Sequence, residues 1–203
     1  MKFIPAIVWL TLFTLAPVAL ADTFKDGIAA FEAREYQKAL DLWLTLAEQG
    51  DVTSQMNVGE MYAKGLGVTR DTPEALKWFN KAAAQGSAAA EFNLGEIYGF
   101  GHGIPVDHEL SIKWYRKAAQ QGHASARYKL GAKYFKGEGV PMDYLMAYAW
   151  MDMAAKQGLS IAANYRDLIA SILKPDELKK ATALADELTD QLADPVTRQP
   201  DSN

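Results

Sequence analysis

One stretch of this sequence occurs three times: residues 94–107 read LGEIYGFGHGIPVD, residues 58–71 read VGEMYAKGLGVTRD and residues 130–143 read LGAKYFKGEGVPMD. Neighbouring copies are 36 residues apart. In each copy a glycine and a tyrosine stand inside an apolar run, a Gly-x-Gly pair follows, and an aspartate ends the stretch. Self-similarity at a fixed period of this length is typical of repeat architectures, so we expect stacked copies of one small unit.

The full repeating unit ends in Gln-Gly, a pair found at 49–50, 85–86, 121–122 and 157–158. These pairs delimit three units, 51–86, 87–122 and 123–158, which share ten identical positions when aligned without gaps. In the first unit the shared residues are Gly59, Tyr62, Gly65, Gly67, Asp71, Trp78, Ala82, Ala83, Gln85 and Gly86.

Each unit predicts two helices joined by a glycine loop. In the first unit, apolar residues recur at helical spacing over 53–64. Gly65 and Gly67 end this helix, because glycine readily adopts the left-handed conformation found at helix C-termini. Asp71 stands where the N-cap of the second helix belongs, and Pro73 suits its first turn.

Glycines inside the first helices predict a close contact between helices. Each costs about 1 kcal/mol relative to alanine, which a fold tolerates where a side chain would block a neighbouring helix. We expect Gly59, Gly95 and Gly131, together with the paired alanines, to form the contact between the two antiparallel helices of a unit. We expect the tryptophans of the second helices to fill the space between units; these are Trp78, Trp114 and Trp150.

The two ends of the chain predict variants of this unit. Residues 22–50 keep the closing Gln-Gly, but the spacing from Gly27 to Ala39 is 12 residues, against 16 in the first full unit, so the glycine loop is missing. Residues 159–193 predict two capping helices, the second opening at Pro175 and carrying a charged face. Residues 194–203 contain two prolines and few apolar residues, which predicts a disordered tail.

Residues 1–21 have the pattern of an export signal. Lys2 precedes an uncharged stretch over 3–20, and Ala19-Leu20-Ala21 offers the small-x-small sequence cut by signal peptidase just before Asp22. We therefore predict a cleaved signal peptide and a periplasmic or secreted protein, with an uncleaved membrane anchor as the alternative. No later stretch approaches the apolar length that spans a bilayer.

Composition narrows the classes of function. A net charge of -4 argues against binding to nucleic acid, which needs a basic surface. The absence of cysteine excludes disulfides, thiolate metal sites and cysteine nucleophiles. Ser171 and Lys174 form a Ser-x-x-Lys string, but in a predicted capping helix and without the other motifs of penicillin-recognising enzymes. His102, His108 and His123 lack the spacing of a helical metal site, so we predict no catalytic residue, cofactor or metal.

The repeated residues resemble a known family. The run Leu94-Gly95-x-x-Tyr98-x-x-Gly101-x-Gly103-Ile104-x-x-Asp107, continuing through Trp114, Ala118-Ala119 and Gly122, is similar to the Sel-one-like repeat, a longer-looped relative of the tetratricopeptide repeat. The resemblance covers 51–158, whereas 22–50 is more similar to an ordinary tetratricopeptide unit. It implies an all-α fold, a right-handed α-α superhelix (solenoid) whose first helices line a concave groove for a peptide or partner protein.

By the same analogy, particular side chains of the first helices face the groove. The candidate partner-binding residues are Met56, Glu60, Lys64, Phe92, Glu96, Phe100, Tyr128, Ala132, Phe135 and Lys136. Phe92 and Tyr128 could equally be packing residues between helices. Residues 90–100 carry acids and no base, and residues 126–136 carry bases and no acid, so the two helices could attract each other or steer a charged ligand. We add the hypothesis that Lys133 and Lys136 contact an acidic segment of the partner.

The sequence thus predicts an exported, non-enzymatic scaffold or adaptor that binds a protein or peptide of unknown identity through its concave groove. Two alternatives stay open. One is an envelope hydrolase, β-lactamase-like or related to the cell wall, and the other is a structural subunit of an envelope assembly.

Overall fold

The computed structural model describes the backbone of residues 16–193 and the side chains of residues 21–193. Within that part the chain forms only helices: α1 (Ala16–Glu32), α2 (Tyr36–Glu48), α3 (Val52–Lys64), α4 (Thr72–Ala84), α5 (Ala88–Phe100), α6 (His108–Gln120), α7 (Ala124–Lys136), α8 (Tyr144–Lys156), α9 (Ser160–Ile172) and α10 (Pro175–Ala193). The predicted signal peptide lies mostly, and the predicted tail entirely, outside the described residues.

The helices stack in chain order into a solenoid, which confirms the predicted all-α fold. Each helix from α1 to α8 packs against the next one along the chain, and α10 turns back onto α8. The first helices of the units are α1, α3, α5, α7 and α9, and the second helices are α2, α4, α6 and α8. All helices from α2 to α9 contain 13 residues. The α1–α2 connection spans only residues 33–35, so the glycine loop is absent there.

The predicted caps define the helix boundaries. The side chain of Asp71 accepts a hydrogen bond from the Glu74 N–H at 2.9 Å, and Asp107 accepts one from the Leu110 N–H at 2.8 Å. Gly65 ends α3 with a φ of 72°, a conformation that glycine adopts without a steric penalty. These caps satisfy backbone groups that the helix itself cannot pair, so each unit starts and stops its helices at the same positions.

In every unit a glycine of the first helix lies against a large side chain of the second helix. The pairs are Gly27–Trp43, Gly59–Phe79, Gly95–Tyr115 and Gly131–Met151. A Cβ atom added to Gly95 would lie 2.5 Å from Cδ1 of Tyr115, closer than two carbon atoms can approach. The predicted close contact is confirmed, but the main partner of each glycine is this large side chain and not the paired alanines.

The tryptophans of the second helices fill the space between units, as predicted. Trp78 packs with Leu40 and Trp43 of the N-terminal unit, and Trp114 packs against the core around Phe79. Trp150 occupies the same place one unit later. Because each tryptophan buries its ring in the preceding unit, no unit completes its core alone.

The glycine loops add a second contact between units. A Cβ atom on Gly67 would lie 2.5 Å from the carbonyl carbon of Tyr36, at the start of α2. A Cβ atom on Gly139 would lie 2.7 Å from Cβ of His108, at the start of α6. In the middle loop, the Thr72 hydroxyl donates to the carbonyl oxygen of His102. Each loop therefore rests on the N-terminus of the preceding second helix.

A buried polar position also joins neighbouring units, and its residue changes along the array. Nε2 of Gln55 donates to the Ala47 carbonyl at 3.0 Å, and Nε of Arg127 donates to the Ala119 carbonyl at 3.1 Å. The second unit has Glu91 at this position, only 5% exposed. Burial raises the pKa of Glu91, although a hydrogen bond from Gln121 opposes this shift. An ionised carboxylate cannot donate to a carbonyl, so this interface lacks the bond that the other two have.

We predict that Gly95→Leu destabilises the protein, because the new side chain would overlap the Tyr115 ring. The expected loss in free energy of unfolding is about 2–3 kcal/mol, typical of overpacking, measured by urea denaturation. The control is Ala89→Leu on the exposed side of the same helix, which should change stability little. Equal midpoints for both variants and the parent would disprove the glycine contact.

We predict that Glu91→Gln stabilises the protein at pH 7 by about 1 kcal/mol, because glutamine is neutral and can donate to the Ala83 carbonyl as Gln55 donates to Ala47. The pKa of Glu91 is higher in the folded state than its unfolded value of about 4.3. Ionisation of Glu91 therefore destabilises the fold fully at a pH above the folded-state pKa and not at all at a pH below the unfolded value. The gain should therefore shrink between pH 7 and pH 4 in urea denaturation. Glu109→Gln, at an exposed carboxylate, should give no such gain.

Candidate functional site

The first-helix face, the surface formed by α1, α3, α5, α7 and α9, carries most of the exposed large apolar side chains. Five of the seven among the described residues lie on it: Ile28, Phe100, Ile161, Leu168 and Ile172. The other two, Val106 and Met142, occupy corresponding positions in two glycine loops. In the part of the chain that is described, the second helices and α10 carry none.

Phe100 is the most exposed aromatic residue of this face, with 60% of its surface accessible. Nζ of Lys129 lies 4.8 Å from the centroid of its ring, a cation–π distance. The same ammonium group forms an ion pair with Glu96 at 2.9 Å, and the Tyr115 hydroxyl donates to Glu96. The acidic and basic first helices thus attract each other across the unit boundary, which was the simpler of the two interpretations of their charges.

Phe92 and Tyr128 are half-buried and belong to the packing between helices. The Phe92 ring stacks on His123 with centroids 4.7 Å apart, and it also contacts Tyr115. The Tyr128 ring meets Tyr165 of α9 edge to face at 5.8 Å. The packing alternative therefore describes both residues better than a role as free binding anchors.

The environment of Lys133 contradicts the hypothesis that Lys133 and Lys136 together contact an acidic segment of the partner. Its side chain is only 11% exposed, and its Nζ donates to Glu138 at 2.8 Å and contacts Nδ1 of His108 at 3.1 Å. Lys133 therefore holds the glycine loop of its own unit against α6. Lys136 stays exposed, with a longer contact of 3.7 Å to Glu138.

The remaining predicted groove residues lie on the face in different environments. Met56 packs against the core between α3 and α5. Glu60 and Lys64 are exposed and pair with each other at 2.5 Å. Phe135 and Ala132 pack beside the core under α9. None of these contacts tests partner binding, which stays a prediction for this set.

The largest exposed apolar group is one that the sequence interpretation missed. Ile161, Leu168 and Ile172 form one stripe along α9, the last first helix among the described residues. Their spacing of seven and four residues places them on the same side of the helix. The signal was present in the sequence, but a terminal helix was expected to act only as a cap.

The candidate enzymatic residues have structural contacts. The Ser171 hydroxyl donates to the Leu168 carbonyl of its own helix at 2.7 Å. Over residues 21–193, no three His, Asp or Glu side chains come together in a way that could hold a metal ion.

Among the helices described, none combines the length and the apolar character that crossing a membrane requires.

His123 links the face to the stability of α7. Its Nδ1 accepts a hydrogen bond from the Ala126 N–H at 3.2 Å, so the imidazole is the N-cap of α7. Burial beside Phe92 lowers the pKa of His123. Protonation would remove the capping acceptor and place a positive charge at a helix N-terminus, where the helix dipole disfavours it.

Comparison with known protein families gives one match. The model of the Sel1 repeat matches four consecutive segments, 19–51, 52–87, 88–123 and 124–159. The boundaries agree with the Gln-Gly periodicity, and the match includes the N-terminal unit despite its shorter loop. No curated protein sequence matches the chain significantly.

Solved structures give the same result. A Sel1 repeat protein from Oxalobacter formigenes is 34% identical, with a TM-score of 0.68 over 84% of this chain and 72% of that protein. The protein c5321, a protective antigen present in uropathogenic Escherichia coli strains and displaying an SLR fold, is 28% identical, with a TM-score of 0.58 over 84% of this chain and 45% of its own. A Sel1 repeat protein from Klebsiella pneumoniae, at 17% identity and a TM-score of 0.50 over 74% of this chain and 77% of that one, shares the fold alone.

We predict that acidification weakens the cap of α7. Because the folded-state pKa of His123 is lowered, its contribution is complete above the unfolded value of about 6.5 and is lost as the pH falls through the folded value. The loss should be up to about 1 kcal/mol, the size of an N-cap. His123→Ser would give α7 a serine N-cap like Ser87, which caps α5. This variant should lack the part of the pH dependence that comes from the imidazole. Parallel curves of the free energy of unfolding for the parent and His123→Ser between pH 7 and pH 5 would contradict this prediction.

Proposed function

The chain belongs to the Sel1 repeat family, and on that premise we propose that it is an exported scaffold or adaptor that binds a protein or peptide partner through its first-helix face. Sel1 repeat proteins generally mediate protein–protein interaction, and their fold is typically a non-enzymatic scaffold. In our proposal the first helices line the concave side of the solenoid, and the partner lies along that groove.

One observation carries this proposal: exposed large apolar side chains among the described residues occur on the first helices and in two loops but not on the second helices. A folded chain gains nothing from leaving Phe100, Leu168 and Ile172 in water. Exposed apolar groups that lie on one face are typical of an interaction surface, and a few buried anchors usually dominate the affinity for a partner.

Export is the second part of the proposal and depends on residues 1–21. A short positive start, an uncharged stretch and Ala-Leu-Ala before Asp22 favour cleavage by signal peptidase. The protein would then act in the periplasm or outside the cell. Mass spectrometry of the protein recovered from a bacterial envelope fraction tests this, with a mature chain that begins at Asp22 as the expected result and an intact N-terminus as the opposing one.

We predict that a partner captured by this protein depends on the first-helix face. The experiment is affinity capture from envelope extracts with the parent protein and the variant Phe100→Ala/Leu168→Ala/Ile172→Ala as baits. The variant removes exposed side chains only, so it should stay folded by circular dichroism and lose most of the bound partner.

The matched control is Val106→Ala/Met142→Ala, which removes the two exposed apolar side chains of the loops. We expect it to capture the partner as well as the parent does. Loss of the partner from the loop variant, with full capture by the first-helix variant, would move the interaction to the loop edge and reject the proposed groove.

A further inference from the structure

The sixth residue of each first helix from α3 onward decides how the cleft to the preceding first helix is filled. These residues are Asn57 in α3, Asn93 in α5, Lys129 in α7 and Tyr165 in α9. Lys129 reaches back to Glu96 and Phe100 of α5. Tyr165 reaches back to α7, whereas the two asparagines are short. The four clefts of the array therefore share one backbone frame and differ in their contents.

Tyr165 shows how an aromatic ring is held in such a cleft. Its centroid lies 5.8 Å from that of Tyr128 and 6.1 Å from that of Phe135, with interplanar angles of 62° and 78°. Both contacts are edge to face, an arrangement that aromatic pairs favour. The walls, Tyr128 and Phe135, stand three residues before and four residues after Gly131, the glycine of that unit.

The cleft between α1 and α3 has corresponding aromatic walls, and both walls contact the Trp43 ring of α2, whose centroid lies 6.3 Å from that of Phe24 and 5.6 Å from that of Phe31. Phe24 and Phe31 stand three residues before and four residues after Gly27, so they correspond to Tyr128 and Phe135. Asn57 occupies the place of Tyr165 and lines an open cavity of about 530 Å³. Its apolar lining consists of Phe24, Ile28, Phe31, Trp43, Met61 and Leu66. An open cleft of this volume with a mainly apolar lining has room for a large side chain of a partner.

Charge at the same cleft adds to its specificity. Glu32 and Glu60 line the cavity together with the neutral polar residues Thr53 and Asn57. Glu60 pairs with Lys64, and among the described side chains no ion pair involves Glu32. Carboxylates beside an apolar cleft favour an occupant with a positive charge next to its apolar group.

We propose that the α1–α3 cleft binds an aromatic side chain of the partner against Phe24, Phe31 and Trp43, at the place that Tyr165 takes in the α7–α9 cleft, with a lysine or arginine beside it. This inference rests on the proposed function and names the residue type that the first-helix face recognises. At α7–α9 this place is taken by the Tyr165 ring, whereas at α1–α3 it belongs to Asn57 and the cleft beside it is open.

The first test fills the cleft from within. Asn57→Tyr should seat its own ring against Phe24 and Phe31 and raise the melting temperature by about 2–4 °C, the gain expected from one aromatic contact in a chain of this size. Asn93→Tyr is the matched control, because its cleft is walled by Met56 and Ala63, and it should gain no comparable stability. Equal shifts for the two variants would overturn the correspondence between the clefts.

The second test uses a defined probe, the peptide Ac-Gly-Tyr-Arg-Gly-NH2, titrated into the ¹⁵N-labelled protein. The indole N–H of Trp43 is buried, has no hydrogen-bond acceptor among the described residues, and reports on the cleft by NMR. We expect a saturable shift of this signal at millimolar peptide, at least tenfold weaker binding to Asn57→Tyr, and unchanged binding to Asn93→Tyr. Ac-Gly-Ala-Arg-Gly-NH2 should cause no shift.

The proposal falls if the tyrosine peptide leaves the Trp43 signal unmoved, or if it binds the parent and Asn57→Tyr equally. These failures differ from failure of the adaptor function. A partner lost by the Phe100/Leu168/Ile172 variant but retained by Asn57→Tyr would leave the groove in place and reject this cleft. A partner lost by Asn57→Tyr and retained by Asn93→Tyr would support both.

Discussion

The contact between a glycine of each first helix and a bulky side chain of the second helix is the constraint on which the rest of the structure depends. At Gly95 there is no room for even one methyl group beside the Tyr115 ring. The spacing of the two helices of a unit is therefore set by a side chain of the second helix that packs directly on the backbone of the first. That distance fixes where the next unit can bury its tryptophan and where its glycine loop can rest, so the same geometry recurs along the array.

A frame fixed in this way leaves the first-helix face free to vary. Neighbouring clefts on this face are filled by Lys129 or Tyr165 or left open beside Asn57, without any change in the helices around them. Variation at one position thus changes a recognition surface while the glycine contacts preserve the fold. Binding sites grafted on a constant scaffold are the usual way in which one fold serves many partners.

The fold could be predicted from the sequence because it depends on residue types with few alternatives. Glycines at fixed positions, aspartate caps and a fixed period leave little freedom, and even the missing loop of the N-terminal unit was evident from one spacing.

The first-helix face was harder to predict, because the exposure of a side chain depends on its neighbours in space. Lys133 looked like a free charge until the structure placed Glu138 and His108 beside it. Phe92 and Tyr128 could not be assigned from the sequence, because an aromatic residue at helical spacing has the same pattern whether it packs between helices or binds a partner. The cavity beside Asn57 is defined by residues on three helices, so no single segment contains its signal.

The ladder of contacts between neighbouring units has a consequence for how such a chain can change in length. Nε2 of Gln85 donates to the Gly50 carbonyl, and Nε2 of Gln157 donates to the Gly122 carbonyl, each one unit back along the chain. Duplication of a whole block between two Gln-Gly pairs would supply the added block with the same kind of donor and acceptor at both of its boundaries. Such an insertion lengthens the array and keeps the contacts between units, whereas an insertion inside a helix would shift the residues that make them. Gene duplication in steps of 36 residues is therefore the route by which proteins built in this way can grow.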